Sequence, residues 1–235
     1  MSNRSVFHRI LYAVLEPLVQ LVAVLAYRVR YTGMRNIPTK GGVLVISNHQ
    51  SHFDPPLVGM GTRRQMRYLA RSSLFGFAPF RWLTNALGAV PIDRERGGLA
   101  GIKESLRLLK RGEMLVMFPE GTRTRNGDIG TLRPGFTTLA VRSGAAILPV
   151  AIEGAFVAWP RWHKLPRLGR IHVHYGAPLL PDEIASLDEQ ELMAEVERRV
   201  RECHAKLRQH PDFVRHCRGD FKSPPRNTGS RTEEP

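Results

Sequence analysis

Residues 41–56 read GGVLVISNHQSHFDPP. Val43 to Ser47 is a short run of branched and aliphatic residues, the pattern of a strand buried on both faces. It breaks at once into a polar loop with two histidines. Asp54, Pro55 and Pro56 then read as a helix start, an acidic residue ahead of proline. Strand, polar loop and helix start form the repeating unit of α/β folds, and the loop after such a strand is where those folds place reactive side chains.

Working outward, the same grammar repeats. Met66–Ala70, Ala89–Asp93, Met114–Phe118 and Ile147–Ile152 read as buried strands, and Arg170–Tyr175 alternates as a half-exposed strand nearer an edge. Leu99, Ile102, Leu106 and Leu109 recur at helical spacing ahead of Gly112. Leu192, Val196, Val200, Cys203 and Leu207 do the same near the C-terminus. Strands alternating with helices predict an α/β fold, a central, mostly parallel or mixed sheet flanked by helices. Residues 33–216 are expected to form this domain. A disordered tail is expected over 217–235, where Pro, Gly, Ser and charge dominate.

The 235 residues are 42% hydrophobic and 24% charged, a balance that supports one large core without staples. Cys203 and Cys217 have no ligand spacing, so neither a disulfide framework nor a zinc site is indicated. A formal charge of +14 favours a polyanionic partner, either nucleic acid or an anionic membrane. Signatures of RNA-binding and zinc-finger modules are absent.

Ile10–Arg30 is apolar but interrupted by Glu16 and Pro17. It falls short of the roughly 20 uninterrupted apolar residues a membrane span wants, and the same two residues argue against a cleaved signal peptide. The pattern predicts a kinked helix or helical pair lying in the membrane interface over residues 1–32, flanked by Arg4, Arg9, Arg28 and Arg30. A helix packed on the domain fits the same pattern.

Five positions separate His49 from Asp54, so the carboxylate can turn back onto the imidazole. A carboxylate on one ring nitrogen fixes the tautomer and leaves the other free to take a proton from a hydroxyl. Three plainer readings compete: Asp54 as a helix N-cap, the histidines as surface loop residues, or His49, His52 and Asp54 as metal ligands. The last is disfavoured because no further ligand cluster accompanies them. Phe118–Arg125, FPEGTRTR, again follows an apolar strand. There Glu120 precedes a glycine, and Arg123 offers a planar fork for phosphate oxygens. A Glu–Arg pair holding a tight turn reads the same letters. Arg94 in GAVPIDRE and Arg71 after MRYLA add cations at two further strand ends.

NHQSHFD, GAVPIDR, FPEGTR and ILPVAIEG occur in the order and character of the four blocks of glycerolipid acyltransferases. Over Val43 to Gly154 the chain resembles the 1-acylglycerol-3-phosphate (lysophosphatidic acid) acyltransferase family. That resemblance implies His49 as the general base on the acceptor hydroxyl and Asp54 as its orienting partner. It also implies direct attack on an acyl thioester without an acyl-enzyme. Arg94 and Arg123 would hold the acceptor phosphate, Glu120 and Gly121 would shape its pocket, and Arg71 would add a basic contact. Thr122 has two readings, a phosphate contact or a turn-capping hydroxyl. Pro149 would set a strand end near the acyl channel.

The product would be phosphatidic acid, with acyl-CoA or acyl-carrier protein as co-substrate, no other cofactor and no metal. The implied partners are an anionic phospholipid membrane and a lysophospholipid acceptor, with no nucleic acid. The protein would be membrane-associated, with its active site on the cytoplasmic face. The same base acting on another lysophospholipid or hydroxylated lipid is the alternative within the enzyme class. A non-catalytic protein binding anionic lipid or nucleic acid is the alternative outside it, and that reading leaves the His49–Asp54 spacing unexplained.

Three stretches stay open on pattern alone. Lys103, Arg107 and Lys110 form either a headgroup-binding face or an ordinary solvated one. Phe156–Arg167, FVAWPRWHKLPR, mixes tryptophan with basic residues as interfacial anchors do, or is a surface loop with its tryptophans packed inward. Leu74–Leu83 borders an acyl tunnel or is a plain core helix.

Overall fold

The computed structural model describes residues 25–71, 89–92 and 99–210. Seven strands of the described residues form one sheet: β1 (Arg30–Thr32), β2 (Val43–Ser47), β3 (Met66–Arg71), β4 (Ala89–Ile92), β5 (Met114–Met117), β6 (Ala146–Glu153) and β7 (His172–Tyr175). Their order is β1-β7-β6-β2-β5-β3-β4. All neighbours run parallel except β6 and β7. Among the described residues, these helices connect or cover them: α1 (Asp54–Met60), α2 (Leu99–Lys110), α3 (Gly135–Ser143), α4 (Ala155–Ala158), α5 (Pro181–Ala185) and α6 (Glu189–Gln209).

β2 is apolar without alternation because both of its faces are covered. Val43 and Val45 join Met114, Val116, Leu148 and Val150 under Leu57 and Val58 of α1. Leu44 and Ile46 point the other way, with Leu115 and Ile147, into a layer built by α2, α3 and α6. The Tyr175 hydroxyl donates to Val58 O at 2.7 Å and the Tyr31 hydroxyl to Leu57 O at 3.1 Å, which pins α1 to its face of the sheet.

Helix α6 is defined at its start by Asp188, whose carboxylate accepts from the N–H groups of Gln190 and Glu191, while Glu191 reaches back to Asp188 N. Its expected apolar stripe, Leu192 through Leu207, is buried in full. Helix α2 differs from expectation. Ile102 is exposed, and Gly101, Ser105 and Leu108 turn inward with Leu109. Ser105 satisfies its hydroxyl on Gly101 O at 2.7 Å, so a polar side chain is buried without an unmet donor. A pattern that counts only large apolar residues does not register such small inward ones.

β7 also differs, lying buried one strand in from the edge rather than half exposed. The edge is taken by β1, three residues whose short, mixed sequence gives no strand signal.

The parallel run from β2 to β6 brings the C-terminal ends Ser47, Arg71, Ile92, Met117 and Glu153 to one side of the sheet. That is the side on which open α/β sheets bind ligands. No described helix is long and apolar enough to cross a membrane. Of the expected interfacial segment, residues 1–24 lie outside the described residues, as do the 217–235 tail, the Leu74–Leu83 stretch and Arg94.

Candidate active site

Beyond β2 the next three residues alternate in burial, with Asn48 and Gln50 buried and His49 between them partly exposed. Asn48 acts as an extra rung of the sheet, its amide donating to Ile152 O at 2.9 Å and its oxygen accepting from Ile152 N at 2.8 Å. Gln50 does the same work one pleat further on, donating to Gly127 O at 2.9 Å and accepting from Phe156 N at 3.2 Å. Between these two buried anchors His49 turns the other way and remains partly exposed.

Its main chain is held on both sides by the loop after β5. The His49 N–H donates to Glu120 Oε1 at 2.8 Å, and Thr124 N donates to His49 O at 2.8 Å. The imidazole stacks on Phe118, with ring centroids 4.3 Å apart. His49 Nδ1 lies 2.7 Å from Asp54 Oδ2. Asp54 is fully buried at the first residue of α1, and Oδ2 also accepts from the backbone N–H of Gln50 and, at 2.7 Å, of Ser51. The carboxylate therefore faces back into the loop instead of capping the helix.

Burial pushes the Asp54 carboxyl above the ordinary aspartate value, against the pull of His49 and the two N–H groups. A carboxylate made more basic in this way is a stronger acceptor for the Nδ1 proton. Burial lowers the His52 imidazole below its ordinary value, and the Arg123 and His49 charges lower it further.

Glu120, expected to shape the phosphate pocket, is buried and uses its two oxygens on His49 N and, at 3.0 Å, on Gly130 N. No Glu120–Arg123 pair forms. Burial raises its carboxyl above the usual glutamate value, with the nearby Asp54 charge acting in the same direction. Arg123 is half-buried, and its Nη1 is buried with no hydrogen-bond partner among the described residues. Burial and the Arg161 charge lower its guanidinium, and Asp54 pulls the other way.

Gly121 sits at φ 70°, and a Cβ there would come within 3.3 Å of the Arg133 guanidinium carbon, so a further cation lies over this turn. Thr122 is exposed and makes no turn-capping bond. That role belongs to Thr124, whose hydroxyl oxygen accepts from Asn126 N and Gly127 N. Arg71 is placed by its backbone as the last residue of β3. Pro149 lies within β6, opposite Ile46 of β2.

Sequence reasoning missed the layer beneath. Glu153, at the end of β6, is 1% exposed. Its Oε2 lies 2.5 Å from His204 Nε2, off the hydrogen-bonding direction, and accepts from Arg208 Nε at 2.9 Å. Arg208 also donates to Asp128 at 2.7 Å and to Gly127 O at 3.1 Å, so the end of α6 holds the loop that anchors Gln50. Gly154 follows at φ 90° with Arg170 O only 2.0 Å from where a Cβ would stand, a contact that no other residue type fits. The clues in the sequence were a charged residue directly after an apolar run and its place at the end of the ILPVAIEG block.

Burial alone would raise the Glu153 carboxyl, but His204 and Arg208 together pull it below the ordinary glutamate value. A depressed carboxyl contributes stability above roughly pH 4.3 and loses it as pH falls through the folded value. Glu153→Gln should therefore flatten the acid limb of the urea midpoint below about pH 4. At neutral pH it should cost about 2 kcal/mol, less than a fully buried pair because Arg208 is 37% exposed. Urea titrations between pH 3 and 7 check this. Superimposable acid limbs would mean that Glu153 is not the titrating group.

Residues 28–153 match the family model described as Acyltransferase. A 1-acyl-sn-glycerol-3-phosphate acyltransferase of Pseudomonas aeruginosa is 33% identical over 195 residues, 76% of this chain and 73% of that protein. One of Bacillus subtilis is 30% identical over 186 residues, 77% of this chain and 90% of that one. The chloroplastic enzyme LPAT1 of Arabidopsis thaliana is 30% identical over 132 residues, and the match spans only 36% of its length. The crystal structure of the 1-acyl-sn-glycerophosphate acyltransferase PlsC from Thermotoga maritima superimposes with a TM-score of 0.72 at 25% identity, covering 89% of this chain and 85% of that one.

Proposed function

Starting from a chain that belongs to the Acyltransferase family, we propose that it moves a fatty acyl group from a thioester to the free hydroxyl of 1-acylglycerol 3-phosphate, giving phosphatidic acid. The observation that carries this reading is the orientation of His49. Its Nδ1 is committed to Asp54, while Nε2 has no hydrogen-bond partner among the described residues, and Arg123 on the neighbouring loop keeps its Nη1 without a partner.

Asp54 holds the tautomer with hydrogen on Nδ1. The acceptor hydroxyl gives its proton to Nε2 as its oxygen bonds to the thioester carbonyl carbon. Collapse of the tetrahedral intermediate breaks the carbon–sulfur bond, and the imidazolium returns the proton to the departing thiolate. Asp54 opposes the transient positive charge on the ring. The acceptor phosphate is met by the Arg123 guanidinium, with Arg133 over Gly121 and Arg94 as further cations. Glu120 acts indirectly, by holding His49 N and Gly130 N. The donor is acyl-CoA or acyl-carrier protein. The +14 charge supports work at an anionic membrane, with the site on the cytoplasmic face, where those water-soluble donors are found.

Thiol release from palmitoyl-CoA by purified protein in detergent tests the reading. Release that depends on lysophosphatidic acid is expected, release without acceptor would indicate a thioesterase, and acylation only of other lysophospholipids would move the acceptor assignment. Arg123→Ala should raise the acceptor KM by about 10- to 100-fold, the worth of one charge-assisted hydrogen bond, with a smaller change in kcat. Steady-state kinetics with varied acceptor read this directly. An unchanged KM would take Arg123 away from the phosphate.

A further inference from the structure

Eight large apolar side chains are exposed among the described residues, and three of them, Trp162, Leu165 and Leu168, fall within seven positions. They are 42%, 77% and 79% exposed. The loop that carries them is not loose. Arg167 N donates to Ala158 O at 2.7 Å and closes its ends, and Trp159 Nε1 donates to His163 O at 2.9 Å across its interior. The Trp162 ring meets Phe156 edge-on, which fixes one side of the tip. A compact loop with its ends joined and apolar side chains outward is already ordered before it meets anything.

The charges around it have one sign. Arg161, Lys164 and Arg167 are exposed and alternate with the apolar residues, and none makes an ion pair among the described residues. The sequence holds no acidic residue between Glu153 and Asp182. The base of the loop is joined to the catalytic loop. The Ser51 hydroxyl donates to Trp159 O at 3.0 Å, and the Trp159 ring packs 5.0 Å from His52 and 4.9 Å from Phe53. Tyr27 packs 4.9 Å from Phe53, so the first described residues lie beside this same cluster.

We propose that residues 159–168 dock onto an anionic phospholipid bilayer. Trp162, Leu165 and Leu168 enter the headgroup boundary, while Arg161, Lys164 and Arg167 meet lipid phosphates. This rests on the acyltransferase reading in one respect: it sets the mouth of the His49 site against the surface that holds the acceptor. Lysines and arginines interleaved with tryptophan and leucine match the layered chemistry of a membrane interface. An acidic protein would complement the charges but has no need of two leucines standing almost fully in solvent.

The test uses the full chain, with phosphatidylcholine vesicles containing phosphatidylglycerol and phospholipids brominated near the headgroup end of the acyl chain. Tryptophan quenching is expected in the wild type, and Trp162→Phe should remove the Trp162 share of it. Quenching identical in the variant would overturn the proposal. Leu165→Asp/Leu168→Asp should abolish that share and lower turnover of vesicle-borne acceptor by at least about tenfold, with turnover in detergent micelles within about twofold of wild type. Normal turnover on vesicles, or a raised KM for an acyl-carrier-protein donor in micelles, would make the loop a protein contact instead. A wild type inactive in micelles would sink the acyltransferase reading while the quenching still decides the loop.

Discussion

Replacing His49 with alanine should lower turnover by about three orders of magnitude and leave the acceptor KM within about threefold, because it removes a group needed only as the hydroxyl loses its proton. The substitution is well contained. The main chain at position 49 is held through Glu120 Oε1 and Thr124 N, and alanine keeps both bonds. What disappears is the ring, its contact with Phe118 and its bond to Asp54. The cavity left is open to solvent on one side, so the folded state should lose only about 1 kcal/mol. Added imidazole should recover part of the rate by occupying the vacated space. Thiol-release kinetics alongside a urea unfolding curve separate the two effects. Turnover within tenfold of wild type in a folded variant would end the role of His49 as base.

Asp54→Asn is the sharper companion, because it removes charge while keeping shape. If the amide oxygen takes the place of Oδ2, the N–H groups of Gln50 and Ser51 and the Nδ1 hydrogen all keep an acceptor. The amide nitrogen then sits where Asp54 Oδ1 already lies buried without a partner. With no carboxylate to balance an imidazolium, kcat should fall by about a hundredfold or more.

Stability should move the other way. Burial raises the folded Asp54 carboxyl above its unfolded value. Such a group favours folding most at pH below the unfolded value, and that benefit is lost as pH rises through the folded one. Above the folded value the wild type therefore carries a buried charge that asparagine does not, and the variant should unfold at equal or higher urea at pH 8, the gap narrowing as pH falls through the folded value. A variant clearly weaker at pH 8 would mean that the carboxylate serves the loop's structure more than the imidazolium.

The wild-type fold was readable where the sequence pattern has one dominant cause. β2, β5 and β6 are continuous apolar runs because both faces are covered, and Leu192 to Leu207 mark α6 because one face is. The His49–Asp54 contact was readable because a five-residue separation and a helix start leave little choice of geometry. Other features depend on partners distant in sequence. β1 is a strand only because β7 offers it an edge. Glu153 reads as an ordinary strand-end charge until Arg208, 55 positions later, is folded against it. Asn48 and Gln50 look like loop polarity, yet their amides complete backbone ladders, and side-chain composition carries no trace of that use.

The strand order has a consequence for how the protein is made. β2 leaves the ribosome with neither neighbour in existence, since β5 begins at Met114 and β6 at Ala146. At bacterial or eukaryotic elongation rates of about 5–20 residues per second, the wait for β6 is roughly 5–20 s. For that interval one of the most apolar segments of the nascent chain has two open edges, next to the loop that will later hold the catalytic histidine. The site itself is completed later still, when Arg208 arrives. Newly synthesised chains should thus pass through a stage that is folded in part, inactive and dependent on chaperones, and slowing translation after residue 117 should lengthen it.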